Sequence, residues 1–172
     1  YKGMDIHVID DSHNANSNSI IMALENLKDL QTEGRKVVVL SEILESGKHS
    51  ILEHQKVINK LDELDFDKVF LIGNVYRKIK HDYLIFDNVE TLESKLFRLL
   101  KPNDTVLFKG SKNTGLNRYV RNKLLGNNGA KKANSKSQFL SIEDLANTNN
   151  VNRVFSNYME KIAMQMGKKT ER

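Results

Sequence analysis

Five short apolar runs punctuate the chain, and helical spacings fill the stretches between them. Ile6, Val8 and Ile9 lie in the first run, which ends in Asp10-Asp11-Ser12. Val37-Val38-Val39-Leu40 is the second, and Val69-Phe70-Leu71-Ile72 the third, closed by Gly73. Tyr83-Leu84-Ile85-Phe86 is the fourth, and Thr105-Val106-Leu107-Phe108 the fifth, closed by Lys109-Gly110-Ser111. The second run is continuous rather than alternating, and continuous β-branched runs of four or five residues are expected of strands covered on both faces in a parallel sheet.

Between the runs the apolar period lengthens. Ile20, Ile21, Leu24, Leu27 and Leu30 predict a helix over 18–31, with Asn16 or Ser17 as N-cap and Gly34 as its stop. Ser50-Ile51-Leu52-Glu53 has the spacing of a capping box, and Ile51, Val57, Ile58, Leu61 and Leu64 follow on one face. Leu92, Leu96, Leu99 and Leu100 predict a third helix, ended by Pro102. Leu116, Tyr119, Val120, Lys123 and Leu124 predict a fourth. Strands alternating with helices define an α/β class: a Rossmann-like, open, mostly parallel sheet of about five to six strands flanked by helices, plus a C-terminal helical tail.

Composition divides the chain. The first part, 1–125, is the α/β domain; 126–138 is a polar, basic linker; 139–172 is a helical tail, with Val151, Val154, Phe155, Tyr158, Met159, Ile162 and Met166 on one face. That face needs a cover: the α/β body, another domain, or a second copy of the chain in a helix-mediated dimer. The 172 residues carry 27 Lys and Arg against 22 Asp and Glu, a net +5, and hydrophobic residues make up 39%. Eight of the basic residues fall between Thr105 and Ile142 with no acid among them. Base stacking would have little to use there, since no aromatic interrupts the run between Tyr119 and Phe139. Nucleic acid is therefore not an expected partner. There is no Cys, which excludes disulfides, thiolate metal sites and Cys nucleophiles. No run reaches the ~20 apolar residues of a membrane span. No signal-peptide pattern precedes the first strand, so a cytoplasmic place is expected. The chain opens on Tyr1 rather than Met and is expected to be a piece of a longer one.

Ligands of open α/β sheets bind beyond the carboxyl ends of the strands. Three of those ends are polar: residues 10–16, 41–47 and 109–112. Turn and capping chemistry alone would use the same residue types. No G-x-x-x-x-G-K-[ST] or G-x-G-x-x-G occurs, so the chain holds no phosphate loop of its own. A phospho-acceptor receiver is set aside, because neither Leu40-Ser41 nor Gly73-Asn74 supplies an acceptor Asp. The five His residues include no H-E-x-x-H, and no metal site is expected.

Taken together, the polar loops resemble the Mur ligases, in particular the branch that adds D-alanyl-D-alanine to a UDP-linked muramoyl tripeptide. Val8-Ile9-Asp10-Asp11-Ser12-His13-Asn14-Ala15-Asn16-Ser17 looks like the family segment DDSYNANP, followed by a helix with Ala23-Leu24. Residues 35–47 are similar to RKIAVLGDMLELG, with His54 at the spacing of that segment's His. Asp67 to Gly73 fits the next strand, and residues 104–111 fit DxVLVKGS. The matches keep their order over residues 4–121. His13 stands in place of a Tyr, Ser17 of a Pro, Ser41 of a Gly, Ile43 of a Met, Ser46 of a Leu and Lys112 of an Arg.

The resemblance implies the third, C-terminal domain of an ATP-dependent amide ligase of peptidoglycan precursor synthesis. In such an enzyme a central domain holds ATP and Mg2+. A carboxylate is phosphorylated there, and an amine then attacks the acyl phosphate. The C-terminal domain closes over the nucleotide and positions the amine, here D-Ala-D-Ala or a related one. Its partners would be the N-terminal and central domains of the same chain, the UDP-linked muropeptide and the amine. Carried over to matched positions, Asp11, His13, Asn14 and Asn16 would face the nucleotide, and Glu42, Glu45 and Ser111 the amine. Lys109 would meet a carboxylate or developing phosphate charge, or be a strand-end lysine in solvent. His54 would be a packing or capping residue. No catalytic group is expected in the chain, which alone should be inactive. The alternative is a non-catalytic α/β binding module, either a Mur-like regulator or an anion- or nucleic-acid-binding domain using the basic tail.

Overall fold

In the computed structural model, residues 5–124 are described. The linker, the tail helix and the dimer predicted for 126–172 lie outside the described residues.

Each apolar run forms a strand: β1 (His7–Asp11), β2 (Lys36–Ser41), β3 (Lys68–Ile72), β4 (Leu84–Phe86) and β5 (Thr105–Lys109). They make one sheet in the order β1-β5-β2-β3-β4, every pair parallel. The helices are α1 (Ser17–Asp29), α2 (Ser50–Leu64), α3 (Val89–Leu99) and α4 (Leu116–Tyr119). The two-residue period of a strand splits the core. Val37 and Val39 of β2 join Phe70, Phe108, Leu92, Leu96 and Leu116 on the face covered by α3 and α4. Val38 and Leu40 join Leu71, Ile20, Leu24, Ile58 and Leu61 on the face covered by α1 and α2. The sheet is thus buried on both sides, which is why its runs are continuous.

Four local expectations are corrected. First, Asn16 caps α1, but the helix ends at Leu30, whose ψ of 134° turns the chain extended before Gly34 is reached. Gly34 serves a close approach instead, since a Cβ there would lie 2.1 Å from the Asn103 carbonyl oxygen. Second, Ser50 is the first residue of α2 rather than its cap, and His49 precedes it with no side-chain cap bond. Glu53 turns to Ser17 Oγ and to Lys56 Nζ. Third, Ile51 is 44% exposed and the buried stripe begins at His54, which is 0% exposed. His54, Val57, Ile58 and Leu61 share one face by the i, i+3, i+4, i+7 rule, whereas Ile51 lies in the first turn beside an exposed loop. Fourth, the last helix is four residues followed by a π-helical turn, Val120–Leu124. Its wider spacing keeps Leu124 buried and leaves Lys123 exposed.

At the amino ends of the strands, Arg35 grips Asp104 through Nε at 3.0 Å and a second guanidinium nitrogen at 2.7 Å. Asp104 is fully buried and also accepts from Lys101 N. This pair fixes the entries to β2 and β5 and leaves the opposite sheet edge to carry the polar loops.

Candidate functional site

The parallel register brings three strand ends side by side. Asp11 of β1 and Leu40 of β2 both stand opposite Lys109 of β5. Because β5 inserts between two strands that are consecutive in sequence, the chain departs on either side of it. That is the topological switch point where open α/β sheets bind ligands.

The first loop hangs from Lys109. This lysine is 3% exposed, so it is not a lysine in solvent. Its Nζ donates to Asp11 Oδ2 at 2.7 Å and to the Asn14 carbonyl at 3.1 Å. Burial raises the Asp11 pKa above the ordinary carboxylate value; the Lys109 charge and hydrogen bond pull it down, and Asp10 adds a little in the same direction as burial. Ser12, fully buried, donates to Asp10 Oδ1 and accepts from Asn117 Nδ2 at 3.2 Å. His13 and Asn14 then stand exposed at the rim. Asn14 Oδ1 accepts from Ala15 N at 2.9 Å, and Asn16 is engaged in a reciprocal capping box with Ser19. Of the four residues carried over for the nucleotide, Asn16 thus has a structural task, and Asp11 is shared with Lys109.

The second and third loops are bound to each other. Ser111 N donates to the Glu42 carbonyl at 3.4 Å, and Ser111 Oγ accepts from Leu44 N at 3.1 Å. Ser41 Oγ and Thr114 Oγ1 are 2.8 Å apart. Gly110 permits this closeness, for a Cβ there would sit 1.6 Å from Ser41 Oγ. From the other side, the Glu42 carboxylate accepts from Val75 N at 2.6 Å. It fills the space over Gly73, where φ is +120° and a Cβ would fall 2.2 Å from the Glu42 side chain. Glu42 therefore braces the loop after β3. Glu45 is exposed, in the irregular 3-10 turn Leu44–His49.

Beneath this loop lies His54. Its Nε2 accepts from Ile43 N at 3.0 Å, so the proton sits on Nδ1, which faces the Ser50 carbonyl at 2.7 Å. Burial pushes its pKa down, opposed by the Ser50 carbonyl and by Glu42 and Glu53. Tyr76 meets the ring edge-on at 4.9 Å and donates to the Ser41 carbonyl at 3.3 Å.

Asn117, Thr114 and Tyr76 lie outside the polar strand ends read from the sequence, and Ser12 and Gly110 lie within them without an assigned role. The only sequence signal was the Gly of Lys109-Gly110-Ser111, and its meaning depends on Ser41 lying opposite. Among the described residues no three His, Cys, Asp or Glu gather as a cation site, and no helix is long and apolar enough to cross a membrane.

A parallel sheet covered on both faces, with three polar loops meeting past its carboxyl edge at a switch point, defines a Rossmann-like domain whose carboxyl edge is where folds of this class bind ligands. Residues 1–112 match the family described as Mur ligase, glutamate ligase domain, and the chain belongs to that family. It is 31% identical to the UDP-N-acetylmuramoyl-tripeptide–D-alanyl-D-alanine ligase of Buchnera aphidicola from Acyrthosiphon pisum, over 66% of this chain and 26% of the relative. It is 32% identical to the enzyme of the same name from Rickettsia prowazekii, over 66% of this chain and 26% of that one. The chain thus spans about a quarter of the length of the curated relatives it matches. Among solved structures it is similar to the MurF ligase of Thermotoga maritima in complex with ADP, with a TM-score of 0.56 and 26% identity, covering 66% of this chain and 27% of that one. It is also similar to MurF of Acinetobacter baumannii, with a TM-score of 0.58 and 26% identity over 67% and 26% of the two chains.

Proposed function

We propose that this chain is the C-terminal domain of an ATP-dependent carboxylate–amine ligase of peptidoglycan precursor synthesis, working in the cytoplasm. It would close over the nucleotide and present an amine, D-alanyl-D-alanine or a related one, to an acyl phosphate on a UDP-linked muropeptide. One observation carries the proposal: the loops that match the family in order are also the loops that meet at one sheet edge, two of them tied through Lys109 and two through Ser111. Neither the fold nor the likenesses supports the alternative of an anion-binding or regulatory module.

The donor set fits the sugar and base of a nucleotide better than its phosphates. Asp11 can accept from ribose hydroxyls, and His13 and Asn14 offer polar groups at the rim. No glycine-rich phosphate loop follows any strand, so ATP and Mg2+ would be held mainly by a central domain. When bound, ATP supplies the phosphoryl group that activates the carboxylate. On this chain Lys109 holds Asp11 and the Asn14 backbone in place. The Ser111 hydroxyl, accepting from Leu44 N, keeps its own hydrogen for the amine substrate. Glu45, exposed at the rim, can receive an ammonium group, while Glu42 acts from behind by bracing the loop.

The test joins this chain to the N-terminal and central domains of its own protein and follows ATP-dependent amide formation. Asp11→Ala should weaken use of ATP, and Ser111→Ala use of the amine, each by about tenfold to a hundredfold. The 172-residue chain alone should not turn over ATP. Turnover by this chain alone, or absence of an amide product from the whole protein, overturns the proposal.

A further inference from the structure

The last residue of β2 and the loop after it are held at four successive residues by four different partners. Ser41 meets Thr114, Glu42 meets Val75, Ile43 meets His54 and Leu44 meets Ser111. Three of these partners come from strand-end loops. His54 alone comes from a helix in the core, and it is the one titratable side chain of the four partners. We propose that His54 is a positioning residue for the amine side of the site: its neutral imidazole fixes the 43–44 backbone and, through Leu44 N, the Ser111 hydroxyl. The inference rests on the ligase reading for what Ser111 receives, though not for the clamp itself.

The geometry leaves the imidazole one productive state. Ile43 N–H needs an acceptor at Nε2, and the Ser50 carbonyl needs a donor at Nδ1. The imidazolium would turn Nε2 into a donor facing another donor, and the clamp would open. The groups around the ring are Glu42 from the loop, Glu53 from α2 itself and the Tyr76 phenol from the turn after β3. Both carboxylates favour the cation, while burial opposes it and prevails. The phenol stays protonated, its pKa pushed up by burial, and its hydrogen is directed at the Ser41 carbonyl. The loop is thus set by a histidine kept neutral, and opening it would displace the Leu44 amide that Ser111 accepts from.

The experiment uses the 172-residue chain first. Nitrogen-15 spectra should show His54 as the Nδ1–H tautomer, and amide exchange should show Ile43 and Leu44 protected. His54→Leu removes the acceptor and should lower both protection factors by about tenfold or more. His54→Gln returns an oxygen near Nε2 and should restore most of the protection. In the whole ligase, His54→Leu should raise KM for the amine and leave KM for ATP unchanged, with His54→Gln between the two. Equal Ile43 protection in wild type and His54→Leu, an Nε2–H tautomer, or both KM values moving together would each overturn the proposal. If His54→Leu does not fold, the wild-type Ile43 amide at neutral pH decides: protection about tenfold or more above an unstructured amide supports the clamp, and an unprotected amide overturns it. A wild-type ligase that makes no amide would refute the proposed function while leaving the exchange result readable on its own.

Discussion

Replacing Lys109 by Met tests whether this buried lysine organises the nucleotide-side loop. The substitution keeps the aliphatic stem and deletes the ammonium group that binds Asp11 Oδ2 at 2.7 Å and the Asn14 carbonyl at 3.1 Å. Removing one partner of a buried ion pair costs about 3–5 kcal/mol, because the other charge is left uncompensated. The Lys109 side chain is 4% exposed but that of Asp11 is 28% exposed, so water can still reach the carboxylate. That lowers the expected loss to about 2–3 kcal/mol. With a urea slope of about 2 kcal/mol per molar, the midpoint of the 172-residue chain at neutral pH should fall by about 1–1.5 M. The loss should depend on pH in a definite sense. Burial already holds the Asp11 pKa above its unfolded value, and Lys109 restrains it. Without Lys109 the folded value rises further. The penalty is then full above that value and fades as pH falls through it, because the carboxylate takes up a proton. Urea midpoints of wild type and Lys109→Met should therefore converge toward pH 4. Lys109→Met/Asp11→Asn, which has no charge to strand, should recover about half of the loss at pH 7. A penalty equal at both pH values, or a double variant no better than the single one, would refute this account.

Gly110→Ala should destabilise the chain by about 2 kcal/mol, since its Cβ would displace Ser41 Oγ and break the bond to Thr114; adding Ser41→Gly should return most of it, as urea midpoints can show. Arg35→Met should cost about 3 kcal/mol at pH 7, because the fully buried Asp104 keeps only the Lys101 amide among the partners described, and Asp104→Asn in the same chain should soften the loss. Stability should also fall as pH drops below about 6.5, where the unfolded chain protonates His54 before the folded one does; His54→Gln should flatten that part of the profile.

The three central strands, β2, β3 and β5, were legible in the sequence because a strand covered on both faces is apolar almost throughout, while the edge strands β1 and β4 showed as shorter apolar runs with Val8 and Phe86 as their buried residues. The helix faces were legible where the stripe is long, as from Val57 to Leu61, and misjudged at the ends. Ile51 keeps the period of α2 yet is 44% exposed, and His54 breaks the apolar pattern yet occupies the buried slot. Periodicity records which residues share a face but not where the covering layer stops. The polar strand ends were legible as candidate chemistry, and their order carried the family likeness. What each polar group does was not legible, because it depends on partners far along the chain. Lys109 is held by residues nearly a hundred positions away, Gly110 is required by Ser41, and Glu42 turns toward Val75 rather than outward. The insertion of β5 between β1 and β2 creates those neighbours. Strand order is set by how the two faces close around the sheet as a whole, so the tertiary structure alone decided which polar groups are satisfied internally and which remain at the rim.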